Sequence, residues 1–161
     1  MIILLPEPSK SSLLVFAVVF ALALSSCRDP LSDELVPSPD FTPDHVVRIQ
    51  LEALQNNNAK DQGIAVAFRF ASPKNKMATG PLGRFTQMVK NKPYRVLLNH
   101  KKVTYGPMEP FKNGVRQRII LHTNDGIHRF IFKLSRRRIG PCSGCWLTDS
   151  VLIEEFGPVR V

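Results

Sequence analysis

The periodicity of apolar side chains changes at Pro93, helical before it and alternating after it, and this change restricts the chain to helices followed by a sheet. On the N-terminal side, Val46, Val47, Gln50, Leu51 and Leu54 recur at helical spacing. Thr42 stands in front as an N-cap, Pro43 at the first helical position and Asp44 in the first turn, where the macrodipole favours an anion. A helix over about residues 43–56 is predicted, stopped by Asn56-Asn57-Asn58. The apolar run at residues 64–71 holds enough alanine for a second, buried helix. Ser72-Pro73 ends it, because the residue before proline is pushed out of the α region. Gly80-Pro81 opens a third helix over residues 81–90, with Leu82, Phe85, Met88 and Val89 on one face.

Beyond Pro93, β-rich segments are predicted at about residues 94–98, 101–106, 114–123, 127–135 and 145–155. Asn124-Asp125-Gly126 is the strongest hairpin signal, since these residues adopt the positive φ of a tight turn at little cost. Helices first and a meander afterwards imply an α+β domain, with N-terminal helices packed on one face of a curved antiparallel sheet. Cystatin-like and nuclear-transport-factor-2-like folds have this layering, which leaves a cavity between layers.

Residues 13–24 form an unbroken run of twelve apolar or small side chains. Crossing a bilayer takes about 20, whereas the core of a signal peptide has roughly 7–15. The run leads into Leu24-Ser25-Ser26-Cys27, which resembles the lipobox of bacterial lipoproteins. The resemblance implies that the Cys27 thiol receives a diacylglyceryl group and that cleavage makes it the new N-terminus. Two acyl chains would hold a small domain at the bilayer, as one chain would not. Basic character ahead of the run is limited to Lys10, offset by Glu7, so an uncleaved membrane helix extended by residues 2–5 is the alternative. The expected organisation is a signal peptide at 1–26, a lipid-anchored tether at 27–40 carrying Pro30, Pro37 and Pro39, and a single domain at 41–161. Such a protein is membrane-anchored and extracytoplasmic, in the cell envelope.

Removing residues 1–26 takes away one of the 22 Lys and Arg and one of the 13 Asp and Glu, so the excess of nine positive charges persists. The densest clusters are Lys90/Lys92, Lys101/Lys102 and Arg136-Arg137-Arg138. Single-strand nucleic-acid sites interleave basic residues with stacking aromatics, and none is interleaved with the triple arginine. No nucleic-acid partner is expected. The cluster is either a solvated face near a hairpin end or a contact with anionic lipid headgroups, worth about 1 kcal/mol per basic residue.

Several segments together resemble the family known as domain of unknown function 4864, found in bacteria and notably cyanobacteria. They are Val47-Arg48-Ile49-Gln50-Leu51-Glu52-Ala53-Leu54-Gln55-Asn56-Asn57, Ala67-Phe68-Arg69-Phe70-Ala71-Ser72-Pro73, Phe85-Thr86-Gln87-Met88-Val89, Tyr105-Gly106-Pro107 and Cys145-Trp146-Leu147-Thr148-Asp149-Ser150-Val151. In order, they cover most of residues 43–153. The resemblance implies a small α+β domain and supplies no catalytic residue.

Cys142-Ser143-Gly144-Cys145 is a lone CxxC between two predicted strands. In an exported chain a local Cys142–Cys145 disulfide closing the turn is the plain reading. Two free thiols, a redox pair and a metal site are the alternatives. A structural zinc needs four ligands, and a redox cysteine needs a helix N-terminus. No cofactor and no metal is expected. A three-residue loop at 124–126 would set His122 opposite His128, where two imidazoles can share a metal, and a two-residue loop would not. His45 and His100 show no spacing that points to a site.

Alternation along the last strand sets Trp146, Thr148, Ser150 and Leu152 on one face and Leu147, Asp149, Val151 and Ile153 on the other. A carboxylate among apolar neighbours either finds a donor or has its pKa raised. If a cavity lies between the layers, Asp149 or the set Trp146, Thr148 and Ser150 lines it, with Tyr105 reaching in. The chain has no paired carboxylates, nucleophile with its base, or glycine-rich phosphate loop. Two functions fit. One is a membrane-anchored, non-enzymatic accessory module that holds a small molecule or an envelope protein. The other is a small enzyme with Asp149 as general acid or base in an apolar cavity.

Overall fold

A computed structural model of the protein describes residues 35–98 and 100–154, so the signal-peptide and Cys27 readings lie outside the described residues. Among the described residues four helices come first: α1 (Pro43–Gln55), α2 (Gln62–Arg69), α3 (Pro73–Thr79) and α4 (Leu82–Lys90). A 3₁₀ turn at Tyr94–Leu97 follows, then β1 (Lys102–Phe111), β2 (Gly114–Thr123), β3 (Gly126–Arg136) and β4 (Trp146–Ile153). The strands form one antiparallel meander in the order β1-β2-β3-β4. The protein is α+β, with its helices before its sheet.

Local chemistry accounts for the helix boundaries. α1 starts at Thr42-Pro43, and the Thr42 hydroxyl donates to Asp44 at 2.6 Å, so the backbone of the first turn gets no side-chain cap. The asparagines that end α1 also organise the start of α2. Asn57 Oδ1 accepts from the Ile64 amide at 3.1 Å, and Asn58 Oδ1 accepts from the amides of Lys60 and Gln62 at 3.1 and 3.2 Å. α3 is absent from the sequence reading, which takes Ser72-Pro73 only as a stop. The pair is also a start: Ser72 Oγ accepts from the Asn75 amide at 3.2 Å, and Pro73 occupies the first turn, as Pro43 does in α1.

Three further expectations are corrected. Residues 94–97 are a 3₁₀ turn and not a strand: among the described residues they pair with no strand of the sheet, and the Tyr94 hydroxyl instead reaches over to donate to Val151 O at 3.2 Å. In the β2–β3 hairpin Thr123 pairs with Gly126, so the loop is the two residues Asn124-Asp125. His122 then pairs with Ile127 and His128 with Leu121, which puts the two imidazoles on opposite faces of the sheet. On β4 the alternation breaks at a bulge: Lys133 pairs with Ser150 and Leu134 with Thr148, leaving Asp149 as the extra residue. The bulge keeps Trp146 and Thr148 on the same face as Val151 and turns Ser150 and Leu152 to the other.

The core lies between the helices and one face of the sheet. Val47 and Leu51 of α1, Ile64 of α2 and Phe70 meet Ile119, Leu121, Phe130, Phe132 and Leu134, all fully buried. No helix among the described residues is long and apolar enough to cross a membrane.

His100 is buried beside the 3₁₀ turn, with Nδ1 2.9 Å from Leu97 O and Nε2 without a partner among the described residues. Burial holds this imidazole below its ordinary value of 6.5, and the Leu97 carbonyl opposes that only in part. On acidification the unfolded chain takes up the proton first, so folding stability should fall as the pH drops from about 7 towards 5. Asp44 and Asp61 are held below their ordinary 3.8, Asp44 chiefly by Thr42 and Asp61 chiefly by Lys90, and they lose their contributions at lower pH. Urea titrations at pH 7 and pH 5 should show the loss, and His100→Gln should flatten that slope. An unchanged slope in the variant would exclude His100 as its source.

Candidate functional site

Where α2 and α3 meet the edge strand β4, the backbone is stitched directly to the sheet. Ala71 bridges Thr148 in parallel, the Ser72 amide donates to Thr148 O at 2.9 Å, and the Thr148 amide donates to Phe70 O at 2.9 Å. This seam fixes one wall of a half-open cavity of about 200 Å³ between the helical layer and the sheet. Leu54, Phe85, Met88, Val89, Leu97, Phe132 and Val151 supply apolar walls, and Gln50, Asn75, Thr79, Thr148, Asp149 and Ser150 are among the polar residues that join them. The space exists because Ala67, Ala71 and Ala78 stand where longer side chains would fill it. A dry cavity of about 150 Å³ suffices for one benzene molecule, so this one has room for a small ring or a short branched chain.

One polar network underlies the cavity. Gln50, buried in the apolar stripe of α1, donates from Nε2 to Ala67 O at 2.9 Å and accepts on Oε1 from the Thr148 hydroxyl at 2.6 Å. Asn75 Nδ2 donates to Thr148 O at 3.0 Å. Burying an amide costs about 1–3 kcal/mol unless it is paired, and here both ends of the Gln50 amide are paired. The network ties α1, α2, α3 and β4 together. It also leaves the cavity's offer to a guest mainly apolar.

Of the residues expected to form a site, Thr148, Asp149 and Ser150 come together at this cavity. Trp146 is half-buried against the core and outside the lining. Tyr105 lies on β1, at the opposite edge of the sheet, with the Arg48 guanidinium 4.1 Å from its ring centre. Burial pushes the Tyr105 phenol up, and Arg48 partly opposes the shift. Asp149 is half-buried, and among the described residues its side chain has no hydrogen bond or ion pair. The bulge sets it between two spaces, the apolar cavity and an outer hollow of about 540 Å³ lined by Lys74, Lys112 and Lys133. Gln50 and Asn75 are absent from the sequence-derived site. A glutamine inside an apolar helical stripe is a signal that points to Gln50, whereas Asn75 sits on a helix that went unpredicted.

Cys142 and Cys145 form a disulfide that closes the β3–β4 connection, with Cys145 buried and Cys142 half-buried. The N-terminal segment packs against this turn: Cys142 Sγ lies 3.4 Å from Pro37 O.

Neither a curated protein nor a solved structure matches the chain. A family model matches residues 39–156, which takes in the four helices, the four strands and the cavity between them. The chain therefore belongs to the family described as Domain of unknown function (DUF4864).

Proposed function

We propose that the protein is a membrane-anchored, non-enzymatic binding module of the cell envelope, held by lipid on Cys27, whose helix–sheet cavity takes a small apolar molecule. The observation that carries this reading is the half-open apolar cavity of about 200 Å³, whose buried polar groups Gln50 and Thr148 already satisfy each other. Walls that are mainly apolar favour guests by burial, at about 25 cal/mol per Å² of apolar surface, and Asp149 is the one charged side chain among the lining residues. A layered fold of the cystatin-like or nuclear-transport-factor-2-like kind offers such a space. Residues 13–24 and Leu24-Ser25-Ser26-Cys27 support the anchor.

The competing reading makes Asp149 a general acid or base. It is supported by the position of Asp149 on the cavity wall and weakened by the open side towards Lys74, Lys112 and Lys133. The two readings part in one experiment on the full chain expressed in a bacterial host. Intact mass should show a mature product that begins at Cys27 with a diacyl increment, lost in Cys27→Ala together with detergent-phase partitioning. Organic extraction of the purified protein should release a small apolar molecule from the native chain and from Asp149→Asn. Ala78→Trp, whose exposed position at the cavity mouth tolerates a large side chain, should release about tenfold less. Equal recovery from Ala78→Trp and the native chain would contradict the binding reading. An unprocessed chain, membrane-bound in both forms, would contradict the lipid anchor.

A further inference from the structure

The turn joining β3 to β4 carries Arg136, Arg137 and Arg138 followed by Ile139, which is 79% exposed. Among the described residues the ion pairs are Lys90–Asp61, Arg116–Glu109 and Arg118–Glu154, so no carboxylate answers the three arginines. The turn is held firmly. The Cys142–Cys145 disulfide spans it, the Arg137 amide donates to Cys145 O and the Gly144 amide to Arg137 O, both at 2.8 Å, and Arg136 Nε donates to Gly144 O at 2.9 Å. Gly140 and Gly144, with φ of 95° and 89°, supply the left-handed backbone that the turn requires.

Two further observations give this end of the sheet a direction. The pairings Gly114↔Ser135 and Ser135↔Leu147 bring the β1–β2 connection to the same end, where the ammonium groups of Lys112 and Lys133 stand 5.5 and 4.6 Å from the centre of the Phe111 ring. The N-terminal segment enters the domain here as well, with Pro37 O beside Cys142 and Leu35 O accepting from Arg69 at 3.2 Å. Seven residues lie between Cys27 and Leu35, and the eight Cα–Cα steps reach at most about 28 Å.

We infer that the β3–β4 turn is a lipid-docking surface, on which Ile139 enters the interface of an anionic bilayer while Arg137, Arg138, Lys112 and Lys133 meet headgroup phosphates. An isoleucine tip flanked by unpaired cations matches a surface that presents phosphates above hydrocarbon. An acidic protein surface would answer the charges and leave the isoleucine in water. The orienting part of this inference rests on the Cys27 anchor, since a short lipid-held tether keeps this end of the domain towards the bilayer.

The test places a reporter at the tip of the full chain. Trp146 is the single native tryptophan and is half-buried, so the native chain gives the baseline for an Ile139→Trp variant. Both are mixed with vesicles of brominated phosphatidylcholine, alone or with about one part in three brominated phosphatidylglycerol. Quenching of the variant beyond baseline on the anionic vesicles, reversed by high salt, is the expected result. It should fall about tenfold or more when Arg137→Glu and Arg138→Glu are added. A variant that floats with anionic vesicles yet is quenched no more than the native chain overturns the docking and leaves the anchor standing. Equal quenching on neutral vesicles overturns the anionic recognition. Salt-sensitive quenching of a chain whose mass shows no processing at Cys27 upholds the docking and overturns the anchor.

Discussion

Replacing Gly63 by alanine should destabilise the domain by about 3 kcal/mol or more, although alanine is the better helix former by about 1 kcal/mol. Gly63 lies buried in the first turn of α2, and a methyl group built on its Cα would overlap the Ala53 carbonyl oxygen of α1 and come within 3.0 Å of Asn57 Cα. Both are backbone atoms, which cannot swing aside as a side chain can. Relief therefore requires α1 and α2 to separate, and that opens the packing of Val47, Leu51 and Ile64 beneath them. Gly83→Ala in α4 is the matched control, since nothing stands within 4 Å of its added methyl. It should stabilise the domain by about 0.5–1 kcal/mol. Urea denaturation of the two variants reads the contrast, and a Gly63→Ala protein as stable as the native chain would mean that the α1–α2 crossing is looser than described.

Gln50→Leu should cost about 2–5 kcal/mol, despite placing an apolar side chain in an apolar stripe. It leaves Ala67 O and the Thr148 hydroxyl buried without the partners they have at 2.9 and 2.6 Å. Thr148→Val removes the donor to Gln50 Oε1 and should cost about 1–3 kcal/mol. In the double variant Ala67 O is the group of this network left without a partner. Its cost should fall short of the sum of the single variants by about 1–3 kcal/mol. Additive costs would show that the Gln50–Thr148 hydrogen bond does not couple α1 to β4.

The legible parts of this fold were those written in local chemistry. Thr42-Pro43 opens α1, the alanine-containing apolar run at 64–71 marks α2, which spans Gln62–Arg69, and Asn124-Asp125-Gly126 turns β2 into β3. What escaped was set by contacts between distant segments. The bulge at Asp149 follows from pairing β4 with β3 on one side and with Ala71 on the other, and strict alternation carries no trace of it. A shift of one residue in hairpin register was enough to move His122 and His128 to opposite faces. Residues 94–97 have β-prone side chains, yet Tyr94 is committed to β4 through its hydroxyl and to Phe130 through its ring, 6.3 Å between centres. Thr148, Asp149 and Ser150 were traceable as a short polar run in an apolar strand, whereas the cavity they line depends on Ala67, Ala71 and Ala78, whose small size has meaning only once the layers are assembled.

The most direct test of the cavity as a binding site is anomalous diffraction from crystals of the protein soaked in bromobenzene. The account predicts a bromine peak between Ala71, Phe85, Met88 and Phe132 in the native protein, and none there in Ala78→Trp. Phe85 and Met88 packed onto Phe132 with no bromine between them would contradict it.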